Sequence, residues 1–326
     1  MFSLITLLSA TTISLFAATY GGYYGNEKGA KDDTVFSYTH LSKDHNYDSK
    51  IKHKIEKDKD HPVKSRVTIP VLETDAKFSS NVDYPTKPVK IISNNTFNNV
   101  SHSLNRDKQL KISGNQAKVI KPRATKFKSS DFKNQELELD SNEKSQNLQI
   151  NGMVTGSVLP FNYPDLFVIV SDEKFHKLNK NAKFSNYIGY EVKNEKSTKM
   201  TSEDLNKFAN KEGSPIISFY DNYKEGKEGN ALNLFIFGFL GLVFLSATGT
   251  IIYFKQLTEA NENQLNYEIL RKIGIGKREL YKSVAKQTLF IFGLPLIVSL
   301  SHGFAVIYFI SNFMSNLIGF NMFVPL

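Results

Sequence analysis

The chain has 326 residues, with 41 Lys and Arg against 32 Asp and Glu, and contains neither cysteine nor tryptophan. The missing cysteines exclude disulfides and thiolate metal sites. The net charge of +9 does not amount to a nucleic-acid signature, because the basic residues are dispersed and carry no recognised binding motif.

Charge is distributed in blocks, and residues 1–19, 231–254 and 288–326 hold none. A bilayer core about 30 Å thick needs roughly 20 apolar residues in a helix. Residues 1–19 are therefore expected to span a membrane. A secretory signal peptide is the competing reading, but the segment lacks a basic n-region and a clean small-x-small cleavage site near Phe16–Tyr20.

Residues 20–230 form a long polar region. From about 27 to 147 it is rich in Lys, Asn, Ser and Asp, and is expected to be partly mobile loops broken by short strands at Arg66–Leu72, Pro88–Ile92 and Ala117–Ile120. Four of its histidines, His40, His45, His53 and His61, lie among Asp32, Asp33, Asp44 and Asp48 without recognised ligand spacing, so no metal site is expected. Lys118, Lys121, Arg123, Lys126, Lys128 and Lys133 crowd sixteen residues with one acid, Asp131. Such a patch suits anions: lipid headgroups, a lipid-linked wall precursor, or an acidic partner surface. A solvated basic loop is the plainer reading.

From Leu148 the pattern strengthens. Residues 148–158 alternate as a strand, Leu166–Val170 is a buried-strand run, and Ser171–Phe175 opens a helix. A strand at Ile188–Val192, a helix capped by Thr201 and Ser202 and reaching about Lys211, and a strand at Pro215–Phe219 complete an α+β domain.

Residues 231–254 read as a second span, and 288–309 as a third that contains Pro295 and the titratable His302; 310–326 is an apolar outer loop or the start of a further span. The short loop 255–287 between them holds seven basic and four acidic residues. The positive-inside rule places it in the cytoplasm and puts 20–230 outside. The fold class is thus a membrane protein of α-helical spans with an inserted α+β extracellular domain.

Within the loop, Leu265, Ile269, Leu270 and Ile273 fall on one helical stripe. Gly274 follows where a helix C-cap wants a left-handed residue, Arg271 and Lys272 complement the helix dipole, and a second helix is expected from about Lys277. The stripe could rest on anionic lipid, belong to a solvated loop, or dock into a groove on a cytoplasmic partner. Gly274-Ile275-Gly276-Lys277 does not complete a Walker phosphate loop, since Arg271 and Arg278 stand where Gly and Ser/Thr are needed. No cofactor and no enzyme chemistry are expected, and no nucleophile, base and orienting group can be assembled from the sequence.

Leu270-Arg271-Lys272-Ile273-Gly274 resembles the L-R-x-x-G end of a segment in FtsX-like ABC transporter permeases, with Asn266 and Tyr267 where that pattern has Glu and Ile. Residues 249–260 and Leu166–Leu178 resemble the bacitracin-export and antimicrobial-peptide resistance branch. The resemblance implies a permease portion truncated at both ends and a cytoplasmic ABC ATPase dimer as partner. It also implies a membrane sensor histidine kinase as a further partner, the remainder of the permease, and resistance to peptides that seize cell-wall lipid intermediates. Leu265, Glu268, Ile269, Leu270, Arg271, Ile273 and Gly274 would couple to the ATPase. A positive outer patch makes simple charge capture of cationic peptides unfavourable there. The alternative function is a membrane sensor or scaffold whose outer domain binds a ligand and whose loop meets a kinase.

Overall fold

The computed structural model describes residues 2–78, 88–106, 109–120, 129–139, 146–160, 166–178 and 182–318. The chain divides into two units, a sheet unit built on Asn26–Gly226 and a helical unit built on the chain before and after that stretch.

The elements run α1 (Phe2–Thr34), β1 (Tyr38–Leu41), α2 (His45–Glu56), β2 (Val63–Thr74), β3 (Ala76–Phe78), β4 (Val89–Ser93), α3 (Asn94–Ser103), β5 (Gln116–Ile120), β6 (Lys133–Leu139), β7 (Gln146–Val154) and β8 (Leu166–Val170). They continue with α4 (Asp172–Leu178), β9 (Lys183–Val192), α5 (Lys199–Glu212), β10 (Ile216–Ser218), α6 (Phe219–Glu262), α7 (Gln264–Lys272) and α8 (Lys277–Ile318). The strands form one mixed sheet in the order β10-β1-β9-β2-β4-β8-β5-β7-β6-β3. At its centre β4 and β8 run parallel, Val89 opposite Leu166 through Ser93 opposite Val170.

Both faces of that centre are covered, which is why β8 reads as an unbroken apolar run. On one face Leu72, Ile91, Val168 and Val170 pack with Phe132 and with Phe175 of α4. On the other, Ile92, Phe167 and Ile169 meet Phe97 and Val100 of α3. Further along, Ile188 and Tyr190 of β9 gather Ile51 and Ile55 of α2 and Leu205 of α5. Gly189 lies under the Phe36 ring, where a Cβ would come within 2.6 Å of it.

Residues 27–147, expected to be largely loops, instead supply most of the strands together with α2 and α3. Both helices are locally encoded. Asp44 caps α2 by accepting from the Tyr47 amide at 2.7 Å, and Tyr47, Ile51 and Ile55 recur every fourth residue on its buried face. Ser93 caps α3 by accepting from the Thr96 amide at 3.1 Å. α5 starts at Lys199, ahead of the expected cap, so Thr201 and Ser202 lie inside the helix. Their hydroxyls serve tertiary contacts instead: Ser202 donates to Asp221 at 2.6 Å and is hydrogen-bonded to the Ser218 hydroxyl at 2.7 Å.

In the helical unit, α1 runs beyond residue 19 and α6 begins well before 231, so both exceed their expected spans. Among the described residues α6 is the helix long and apolar enough to cross a membrane, with 6% of its apolar window buried inside the protein. Leu232, Phe235, Phe239 and Leu242 are exposed, so the described residues supply no core for them. Its hydroxyls return to the helix, Thr248 donating to the Phe244 carbonyl at 2.7 Å and Thr250 to that of Ser246 at 2.9 Å. This is how backbone-satisfied helices tolerate Thr in hydrocarbon. Small residues bring helices together: a Cβ on Gly303 of α8 would lie 2.5 Å from the Ser14 hydroxyl of α1. Ser9 and Thr248 are hydrogen-bonded between α1 and α6 at 3.2 Å. α8 continues as helix through Pro295.

Candidate functional site

The loop between α6 and α8 contains α7, and its shape follows from local bonding. Asn263 makes the corner after α6: its amide and its side-chain Nδ2 both donate to the Glu259 carbonyl, at 3.1 and 2.9 Å, while its own carbonyl accepts from Tyr267 at 3.0 Å as α7 begins. Glu259 also accepts from Gln287 of α8 at 2.5 Å, a polar tie across the base of the loop.

At its other end α7 closes with a complete Schellman motif. Gly274 has φ of 99°, its amide donates to the Arg271 carbonyl at 3.2 Å, and the Ile275 amide donates to the Leu270 carbonyl at 3.1 Å. Only glycine takes this conformation without strain. Two residues later the Gly276 carbonyl accepts from Glu279 and Leu280, starting α8. Arg271 and Lys272 occupy the last turn of α7, where cations offset the carbonyl ends.

The apolar stripe faces away from the rest of the helical unit. Leu265 is 72% exposed, Ile269 56% and Ile273 70%, whereas Leu270 is half-buried. Glu268, Arg271 and Lys272 are also exposed and flank the stripe. The arrangement is a rigidly capped, short amphipathic helix held at both ends by long helices. It has no chemistry of its own; it offers a greasy ridge edged with charge, which suits a groove of matching shape.

The basic outer patch is only partly visible. Lys118 lies half-buried on β5 and Lys133 is exposed at the start of β6. Lys121, Arg123, Lys126 and Lys128 lie outside the described residues.

The histidines do not converge, and among the described residues no group of three or more metal-ligating side chains forms. His40 is fully buried, its Nε2 3.2 Å from Asp48 Oδ1, its ring stacked on Tyr190 and edge-on to Tyr47. Burial holds its imidazole below the ordinary value, with Arg66 adding to that effect and Asp48 opposing it. His302 lies exposed on α8.

A cluster that sequence reasoning missed ties α1 to the sheet. Lys31 reaches Glu191 at 2.7 Å and Glu195 at 2.8 Å, and Glu195 also accepts from the Ser37 hydroxyl at 2.5 Å. These pairs are more than 150 residues apart in sequence, so no local pattern announces them.

Residues 238–326 match the FtsX-like permease C-terminal family, a region that includes α7. Over 93% of its length the chain is 26% identical to the bacitracin export permease protein BceB of Bacillus subtilis (strain 168), of which it covers 48%. Over 78 residues, 24% of the chain and 12% of the relative, it is 45% identical to the bacitracin export permease protein BceB of Halalkalibacterium halodurans. An ABC transporter permease of Bacillus subtilis, YvcS, is 28% identical over 162 residues, covering 48% of the chain and 24% of that protein. The chain therefore spans about half the length of the first of these relatives. It is similar to FtsX-like ABC transporter permeases of the bacitracin-export type, integral membrane proteins, as the residues around Gly274 imply.

Proposed function

We propose that this chain is permease machinery of an ABC transporter that protects a cell from antimicrobial peptides directed at the cell wall. α7 is the point at which a separate cytoplasmic ATPase dimer pushes. The observation that carries this reading is the uncovered stripe of Leu265, Ile269 and Ile273, presented on a helix whose ends are fixed by the Asn263 corner and the Gly274 cap. A flexible loop would absorb a push; a capped rod passes it to its neighbours.

The neighbours are long and stiff. α6 has 44 residues, so at 1.5 Å per residue it is roughly 66 Å long. Its apolar stretch, 231–254, accounts for about 36 Å by the same rise, leaving helical extensions on both sides. At its start it follows β10 without a break, and the Ser202, Asn206 and Ser218 side chains grip Asp221 in its first turn. On this reading α6 is the element that carries nucleotide-driven motion from α7 toward the sheet unit. On this reading α1, α6 and α8 cross the plasma membrane, residues 255–287 lie inside, residues 20–230 lie outside, and the rest of the permease and a membrane sensor kinase are further partners. The basic outer patch is assigned to anionic lipid or a lipid-linked wall precursor.

The chain is free of cysteine, so single-cysteine labelling needs no background removal. Asn266→Cys and Met200→Cys, both at exposed positions, should react with a membrane-impermeant maleimide from opposite faces of right-side-out and inverted vesicles. Labelling of both from one face would end the proposal. Co-purification distinguishes the sensor alternative, since retention of a kinase without an ATPase would favour it.

A further inference from the structure

The sequence assembles no nucleophile with its base, but the fold does. Asp58 and His61 lie in the turn after α2, and Ser197 closes the short 3-10 turn Glu195–Ser197 that precedes α5. His61 Nδ1 is 3.0 Å from both carboxylate oxygens of Asp58, and its Nε2 is 2.8 Å from Ser197 Oγ, 136 residues away. The Thr201 hydroxyl also donates to Asp58. Burial works to raise the Asp58 carboxyl, but the bonds from Thr201 and His61 outweigh it and hold the group below its usual range, as an ionised carboxylate. The Asp58 and His61 side chains are 17% and 15% exposed, whereas Ser197 is open to solvent. A fixed imidazole oriented by a partly buried carboxylate and bonded to an accessible hydroxyl is the arrangement that acyl transfer uses.

We propose that Asp58, His61 and Ser197 form a hydrolytic site for a carboxylic ester of an anionic amphiphile, with Ser197 and His61 as catalytic residues and Asp58 as the positioning residue. In the resting arrangement the Ser197 hydroxyl donates to the Asn194 carbonyl at 2.9 Å; turning it to His61 readies it for attack. Ser197 Oγ then bonds to the ester carbonyl carbon as its proton passes to Nε2. The carbon–oxygen bond to the alcohol breaks, and the alkoxide leaves with that proton. Water, giving a proton to the same nitrogen, attacks the acyl-serine; the carboxylic acid departs and the proton returns to Oγ. No oxidant or reductant enters.

α5 starts two residues after Ser197, and the first amides of a helix have no intrahelical acceptor, so the proposal assigns the Lys199 and Met200 amides, next to Ser197 in the chain, as oxyanion donors. Charge and greasiness define the substrate class. Lys193, Lys196 and Lys199 fall within seven residues and are exposed; Lys196 meets Glu27 at 2.8 Å and Lys199 lies 3.9 Å from Glu203, solvent-screened pairs that an anionic ligand can compete with, while the intervening acid, Glu195, is engaged by Lys31 and Ser37. Met200 is 84% exposed and would receive an acyl chain.

The test uses the full chain in detergent micelles with a fluorophosphonate probe, read by mass spectrometry. Ser197 should be modified, His61→Gln and Ser197→Ala should abolish the adduct, and Asp58→Asn should slow it by roughly a thousandfold or more, as loss of the orienting carboxylate does elsewhere. Asp58→Glu, which keeps the carboxylate, should restore part of the rate that Asp58→Asn loses. Fatty-acid release from phosphatidylglycerol micelles should exceed that from phosphatidylcholine. A folded chain, verified by its melting transition, that gives no adduct at Ser197, or the same adduct in His61→Gln, overturns the site. Equal release from the two lipids overturns the anionic specificity.

Discussion

Replacing Ile269 and Ile273 by Ala tests the coupling role of α7 with a magnitude that follows from exposure. Full burial of an isoleucine is worth about 1.5–3 kcal/mol. With 56% and 70% of these residues still open, roughly two-thirds of that gain is available to a partner, about 1–2 kcal/mol each. Each single variant should weaken ATPase association by about 5- to 30-fold, and the pair by the product if the sites act independently. Because more than half of each side chain is open in the free chain, the melting temperature should move little. Affinity would be measured by titrating the ATPase onto the full-length permease in nanodiscs, with ATP turnover followed in parallel. A pair of substitutions that leaves affinity within twofold, or that lowers both affinity and melting temperature together, refutes the reasoning: the stripe would then be lipid-facing or structural.

Gly274→Ala meets no atom within 4 Å, so its cost is backbone strain alone at φ of 99°, about 1–2 kcal/mol, seen as faster hydrogen exchange at the Ile275 amide. Gly189→Ala pushes a methyl into Phe36 and should lower stability by about 1–3 kcal/mol, with Phe36→Leu restoring part of it in the double variant. His40 is held below its ordinary value in the folded chain, so the unfolded chain takes up the proton first. Stability should be full above the ordinary imidazole value, near pH 6.5, and fall as the pH drops beneath it. Urea midpoints at pH 7 and pH 5 check this, and His40→Gln should reduce the difference. Lys31→Met leaves Glu191, 12% exposed, without its cation and should destabilise by about 1–3 kcal/mol, whereas Lys52→Met, half-exposed on α2, should be near neutral.

What the sequence by itself determined is what short-range physics writes into neighbouring residues. Uncharged runs of hydrocarbon marked the segments found in α1, α6 and α8. Glycine after a cationic last turn set the end of α7 at Lys272, with Ile273 as its cap. An unbroken apolar run marked β8, the centre of the sheet. The same rules hold for α2 and α3, whose caps Asp44 and Ser93 and regularly spaced apolar residues were there to be read; a high density of Lys and Asn concealed them.

Tertiary structure alone decided the rest, because it depends on pairs that the chain brings together across great separations. Leu270 and Ile269 look alike on a helical stripe, yet only the packed loop leaves one half-buried and the other open. Thr201 and Ser202 have the chemistry of caps, but the docking of α5 turned them toward Asp58, Ser218 and Asp221. Nothing near His61 points to Ser197, since a hydrogen bond across 136 residues has no periodicity and no local propensity; it exists because the Lys193 amide donates to the Pro62 carbonyl at 3.0 Å and so holds the turn after α2 beside the segment that follows β9.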